Sequence, residues 1–169
     1  MAEVTLLERA RARALRLLAA RPRTEAQIRD RLGRDGLGEA ADETLAWLRR
    51  LGYLDDAAYA RGRARSLLAP GRLGPRLAER RLAAAGIPPD EARRAVEEAL
   101  RGAAPQAEGG WRAELELCRA LAARRLRGRA PADLDERERA RLARFLLGRG
   151  FSGSAVARAV GAGADRADG

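Results

Sequence analysis

Apolar residues recur along this chain at spacings of three and four between runs of Arg, Glu and Ala, and the period-two alternation of half-buried strands is missing. The pattern predicts an all-α protein. Thr5 and Glu8 form a capping-box pair opening a first helix, whose Leu7, Ala10, Ala14, Leu17 and Leu18 share one stripe before Pro22 ends it. Thr24 and Gln27 repeat the box ahead of a second helix that buries Ile28 and Leu32 and ends near Gly36. A third helix presents Ala41, Leu45 and Leu48 and ends at Gly52, a residue suited to a left-handed cap.

The punctuation then recurs. Leu32 to Gly36, Leu82 to Gly86 and Leu146 to Gly150 each place a Leu four residues before a helix-ending Gly, and Leu37, Ile87 or Phe151 follows. A short helix comes next each time, carrying Leu45 and Leu48, then Ala92, Val96 and Leu100, then Val156 and Val160. This repetition predicts three tandem three-helix units in an elongated, curved helical array. A unit of about fifty residues has little core of its own and shares apolar faces with its neighbours. One irregular helical bundle is the competing arrangement. The expected boundaries are 1–54, 55–101 and 111–160, with a flexible joint at 102–110 that lets the third unit move and a disordered tail at 161–169.

Composition narrows the chemistry. The 169 residues include 34 basic and 24 acidic ones, for a net charge of +10, and every basic residue is Arg. With no His, triads using an imidazole base and His-ligated zinc are excluded. The single Cys118 forms neither an internal disulfide nor a multi-cysteine metal site, so an intracellular protein without metal or cofactor is expected. Residues 1–20 carry Glu3 and Glu8 among Arg and hold no apolar run long enough for a signal peptide or membrane span. The charge points to a polyanion, or to a protein working on one, as partner.

Most of that charge is concentrated. From 57 to 86 seven Arg stand against Glu79 alone. Arg61 and Arg65 on one helix, and Arg76 and Arg80 on the next, lie four apart, a spacing at which like charges repel. An anionic partner accounts for such a cluster more readily than stability does; a solvated helical face is the alternative. The candidate partner-binding residues are Arg61, Arg65, Arg72, Arg76, Arg80 and Arg81, with a secondary basic patch at Arg119, Arg124, Arg125 and Arg127. Asp55 or Asp56 reads as a helix cap and not as a metal ligand. Tyr53, Leu54, Tyr59, Trp47, Trp111 and Cys118 read as packing residues, although exposed aromatics in a basic groove also stack on bases. Gly71 and Gly74 flank Arg72 without the pattern of a phosphate loop.

Gly52-Tyr53-Leu54-Asp55-Asp56 with Tyr59-Ala60, then Gly74-Pro75-Arg76-Leu77, then Leu82 with Gly86-Ile87, resembles the RecX family of bacterial recombination regulators. The likeness includes the opening segment with Arg21, Thr24 and Glu25, extends over about 10–100, and is weaker beyond. It implies tandem three-helix repeats and a cytoplasmic, non-catalytic protein; a monomer is expected. It also implies binding in the helical groove of the RecA filament, which restrains filament growth, recombinational repair and the SOS response, with weak sequence-independent DNA binding alongside. A helix-turn-helix-type protein binding double-stranded DNA is the competing function. A hydrolase would need a converging carboxylate cluster, which the sequence does not display.

Overall fold

The computed structural model describes residues 5–69 and 72–161, and all of its regular structure there is helical. The order is α1 (Leu6–Ala20), α2 (Glu25–Arg34), α3 (Ala41–Arg50), α4 (Asp56–Leu67), α5 (Pro75–Ala84), α6 (Pro89–Ala103), α7 (Gly110–Leu126), α8 (Glu136–Gly148) and α9 (Gly153–Ala159), with short 3-10 turns at Gly38–Ala40 and Pro131–Asp133. Of the expected disordered tail, 162–169 lies outside the described residues.

Each three-helix unit ends its second helix in one way. The backbone N–H of Leu37, Ile87 and Phe151 donates to the carbonyl of Leu32, Leu82 and Leu146, across Gly36, Gly86 and Gly150 at positive φ. This is the Schellman closure, in which a left-handed glycine lets the chain turn back and an apolar residue beyond it covers the last helical turn. All six apolar partners are buried. Their spacing is therefore one backbone motif used three times.

The units also meet in a repeated way, this time through helix starts. Thr24, the N-cap of α2, donates its hydroxyl to the Ala85 carbonyl at 2.5 Å, and Gly74, the N-cap of α5, donates its backbone N–H to the Arg149 carbonyl at 2.8 Å. Gly86 then lies against the Ala26 methyl and Gly150 against Leu77. In each case the cap glycine of one unit hooks onto the first turn of the second helix in the unit before it. A Cβ at Gly74 would itself come within 2.6 Å of the Gly150 carbonyl carbon. Gly36 makes no such contact: nothing lies within 4 Å of where its Cβ would be.

The hydrophobic core divides unevenly. One cluster runs from Ala10 to Leu54, and a second joins Ala60 to Val160, so the second and third units share a core while the first keeps its own. The segment expected as a joint holds the last turn of α6, through Ala103, and the buried Ala104. The described seam between separate cores falls between the first and second units. It is made of backbone and polar contacts: Thr24 to Ala85, and the Glu25 N–H to the Asp56 carboxylate at 3.0 Å. Partial burial at this seam raises the Asp56 pKa. Within the third unit, the Glu114 carboxylate accepts both the N–H and the hydroxyl of Ser152, tying the start of α9 to α7.

Several local expectations need correction. Thr24 accepts from the Gln27 N–H, but the reciprocal half of the box is missing: the Gln27 Oε1 is buried without a partner and does not take up the Thr24 backbone N–H, while the Thr24 hydroxyl donates to Ala85. The expected cap of α4 is present, with Asp55 accepting from the Ala58 N–H, and Asp56 serves the seam. Trp111 and Tyr53, expected as packing residues, are 53% and 57% exposed. Helix α6 spans 15 residues and is not short, and Val160 is the C-cap of α9 and lies just past its last turn.

Candidate functional surface

Arginines in the first and second units have different company. In the first, Arg11 pairs with Glu43, Arg13 and Arg31 with Asp35, Arg29 with Asp42, Arg34 with Asp30 and Arg49 with Glu25. In the second, Arg61, Arg65, Arg72, Arg76, Arg80 and Arg81 are all exposed, and among the described residues none has a carboxylate within ion-pair distance. The reason is compositional: α4 and α5 carry only Asp56 and Glu79 as acids, and Asp56 is turned to the seam.

The six are not one row. Arg61 and Arg65 line a groove of about 510 Å³ between α4 and α6, floored by Ala95 and Ala99 with Glu98 on its far wall. Arg63, one position round α4, opens into a different groove beside α1. Arg76 donates its backbone N–H to the Gly150 carbonyl, which sets the start of α5 against the end of α8. There Phe145 lies between the guanidinium groups of Arg125 and Arg149, at 5.1 and 5.0 Å from the ring centroid. Stacking of this kind holds cations at a surface without neutralising them.

The secondary patch is mixed. Arg119, Arg124, Arg125 and Arg127 are exposed near the end of α7, and Arg127 itself adopts the left-handed C-cap conformation. Neighbouring Arg129 is neutralised by Glu138, whose carboxyl is held down at about 2 by the Arg129 hydrogen bond and the Asp135 N–H. Exposed Trp111 is flanked by Arg158 and Arg112, at 5.0 and 5.4 Å. Sequence reasoning missed both arginine–aromatic stacks. The four-residue spacing of Phe145 and Arg149 was the available signal for one of them.

The described residues offer little to bond-making chemistry. Among them no group of three or more Cys, Asp or Glu is placed to hold a metal ion, and Cys118 is buried with its thiol pushed up to about 12, mainly by that burial. No described helix is long and apolar enough to cross a membrane.

An all-helical array of hooked three-helix units with an uncompensated arginine surface defines a repeat-type binding protein. Residues 10–48 match the family model described as RecX, first three-helix domain, and residues 113–160 that of RecX, third three-helix domain. The chain is 36% identical over 155 residues to the regulatory protein RecX of Acidithiobacillus ferrooxidans, covering 90% of this chain and 89% of that one. It is 35% identical over 155 residues to the regulatory protein RecX of Streptomyces lividans, covering 91% and 77%. The crystal structure of RecX from Lactobacillus salivarius superposes with a TM-score of 0.69 at 20% identity, over 93% of this chain and 96% of that one, and shares the fold. This chain belongs to the RecX family of regulatory proteins. It is accordingly a regulator and not an enzyme.

Proposed function

We propose that the protein binds the RecA recombinase filament and inhibits its extension or activity, thereby modulating recombinational repair and the SOS response. The observation that carries this reading is that Arg61, Arg65, Arg72, Arg76, Arg80 and Arg81 are exposed with no carboxylate within ion-pair distance among the described residues, whereas Arg11, Arg13, Arg29, Arg31, Arg34 and Arg49 of the first unit are paired. A guanidinium left exposed and unpaired is poised for bidentate contact with carboxylate or phosphate, and a nucleoprotein filament offers both. Arg61, Arg65, Arg72, Arg76, Arg80 and Arg81 form the principal contact surface, and Arg119, Arg124, Arg125 and Arg127 a secondary one. Weak, sequence-independent DNA binding accompanies the protein contact, and the protein acts as a cytoplasmic monomer.

The test is RecA ATP hydrolysis on single-stranded DNA, titrated with the protein at low and raised salt. Inhibition well below one molecule per RecA protomer is expected, and replacing Arg61, Arg65, Arg76 and Arg80 by Ala should weaken it about tenfold or more while leaving helicity intact. Wild-type inhibition by the folded quadruple variant would remove this surface from the mechanism. No inhibition at all, with strong preference for one duplex site, would replace the reading with that of a sequence-specific DNA-binding protein.

A further inference from the structure

A second groove, larger than that between α4 and α6, has no part in the surface above. It measures about 1030 Å³ and runs along the seam between the first and second units, between the end of α1, the α3–α4 turn and the outer side of α4. Leu15, Leu18 and Pro22 supply apolar walls, and Tyr53 and Tyr59 project aromatic surface into it. Leu15 and Tyr53 are two of the large hydrophobic side chains that the described fold leaves exposed. Water-exposed apolar surface gathered in a concavity marks a site that something covers.

The rim says what. Arg21, Arg23 and Arg63 border the groove, and Arg21 and Arg63 have no carboxylate within ion-pair distance among the described residues. Arg23 donates to the Leu17 carbonyl, and its pKa is lowered by burial and by the neighbouring Arg21, Arg31 and Arg13. Arg21 and Arg23 are also walls of an adjoining polar recess containing Arg31 and Arg34. The only acid lining the main groove is Asp55, already engaged in capping α4. An apolar trough beside crowded guanidinium groups complements a chain that is apolar at its centre and anionic at its edges.

We propose that this groove docks an acidic peptide segment of a partner protein, with a bulky apolar side chain seated against Leu15, Leu18 and Tyr53 and flanking carboxylates paired with Arg21, Arg23 and Arg63. A nucleic-acid strand is the poorer fit. Tyr53 and Tyr59 could stack on bases, but Leu15, Leu18 and Pro22 give a base no stacking face, whereas an acidic peptide with an apolar side chain uses these walls and the arginine rim together. The proposal stands apart from the arginine surface on α4 and α5 and does not rest on it.

A displayed random library of peptides about 12 residues long, a length that fills a groove of this kind, panned on the full chain tests it. Enrichment of Asp and Glu around Leu, Ile, Phe or Trp is expected. A fluorescein-labelled consensus peptide should then lose affinity about tenfold or more on Leu15→Glu, Tyr53→Ala or Arg63→Glu, all at exposed positions, and keep it on Arg61→Ala. Circular dichroism of each variant secures the comparison. Three results would overturn the proposal. They are a library that enriches equally on the Leu15→Glu variant, enriched sequences lacking acids or an apolar anchor, and displacement of the peptide by oligothymidylate that itself loses affinity in the same three variants.

Discussion

Replacing Gly86 by Ala while also replacing Gly36 by Ala in a separate chain isolates the energy of the hook between units. Both glycines close a Schellman turn at similar φ, +71 at Gly36 and +88 at Gly86, so each substitution forces an L-residue into the left-handed region at a cost of about 1 kcal/mol. At Gly36 that is the whole effect, since the added methyl meets nothing within 4 Å. At Gly86 the new methyl overlaps the Ala26 methyl, which sits rigidly on the first turn of α2, at a separation well under the roughly 3.5–4.0 Å that carbon atoms keep. Overpacking against a group that cannot rotate away costs about 1–3 kcal/mol. Relief by parting the units breaks the buried Thr24 to Ala85 hydrogen bond, worth about 1 kcal/mol more. Gly86→Ala should therefore lose about 3–5 kcal/mol against about 1 for Gly36→Ala. At this chain length that is roughly 6–20 °C against about 2–4 °C in Tm. Because the first unit has its own core, the larger loss should appear as an early, separate transition in thermal melts followed by circular dichroism. Equal losses at the two glycines would refute the hook as an energetic contact.

Thr24→Val, which removes both the α2 cap and the seam bond, should cost about 2–3 kcal/mol in urea unfolding, with Thr24→Ser restoring most of it. Glu138 is an acid whose folded pKa, about 2, lies below its ordinary 4.5, so its contribution is complete above that ordinary value and is lost as pH falls toward 2. Urea midpoints measured across that range should fall more steeply for the wild type than for Glu138→Gln. Cys118, with its thiol raised to about 12, should resist alkylation at neutral pH until the core opens, so the rate of iodoacetamide labelling in urea should follow unfolding of the second and third units.

The helices and their ends were legible in the sequence because they depend on local chemistry. Thr5 with Glu8, Pro75 at the start of α5 and the Leu-to-Gly spacing each act within a few residues, and each appears in the structure. What joins units was not legible. Nothing in the pattern around Gly86 marks Ala26, some sixty residues earlier, as the methyl it must clear. Tyr53 shows the limit of analogy. It follows Gly52 as Leu37, Ile87 and Phe151 follow their glycines, and makes the same backbone bond to Leu48, yet it is exposed because at the end of α3 no further helix covers it. The arginine cluster was visible as a run of charge. The pairing that separates it from the equally Arg-rich first unit depends on where Asp35, Asp42 and Glu43 fall in space.

The start of α8 differs from the two helix starts that receive a glycine hook. At the position where the first unit offers Ala26 and the second Leu77, the third presents Arg137 and Glu138. Its N-cap donor is spent internally, the Asp135 N–H bonding the Glu138 carboxylate, which also clasps Arg129. A further glycine hook there would meet charged side chains in place of Ala26 or Leu77 and an N-cap N–H already engaged. An engineered chain with a Thr-Glu-Ala start, as in α2, at 135–137 would carry the socket for a further module.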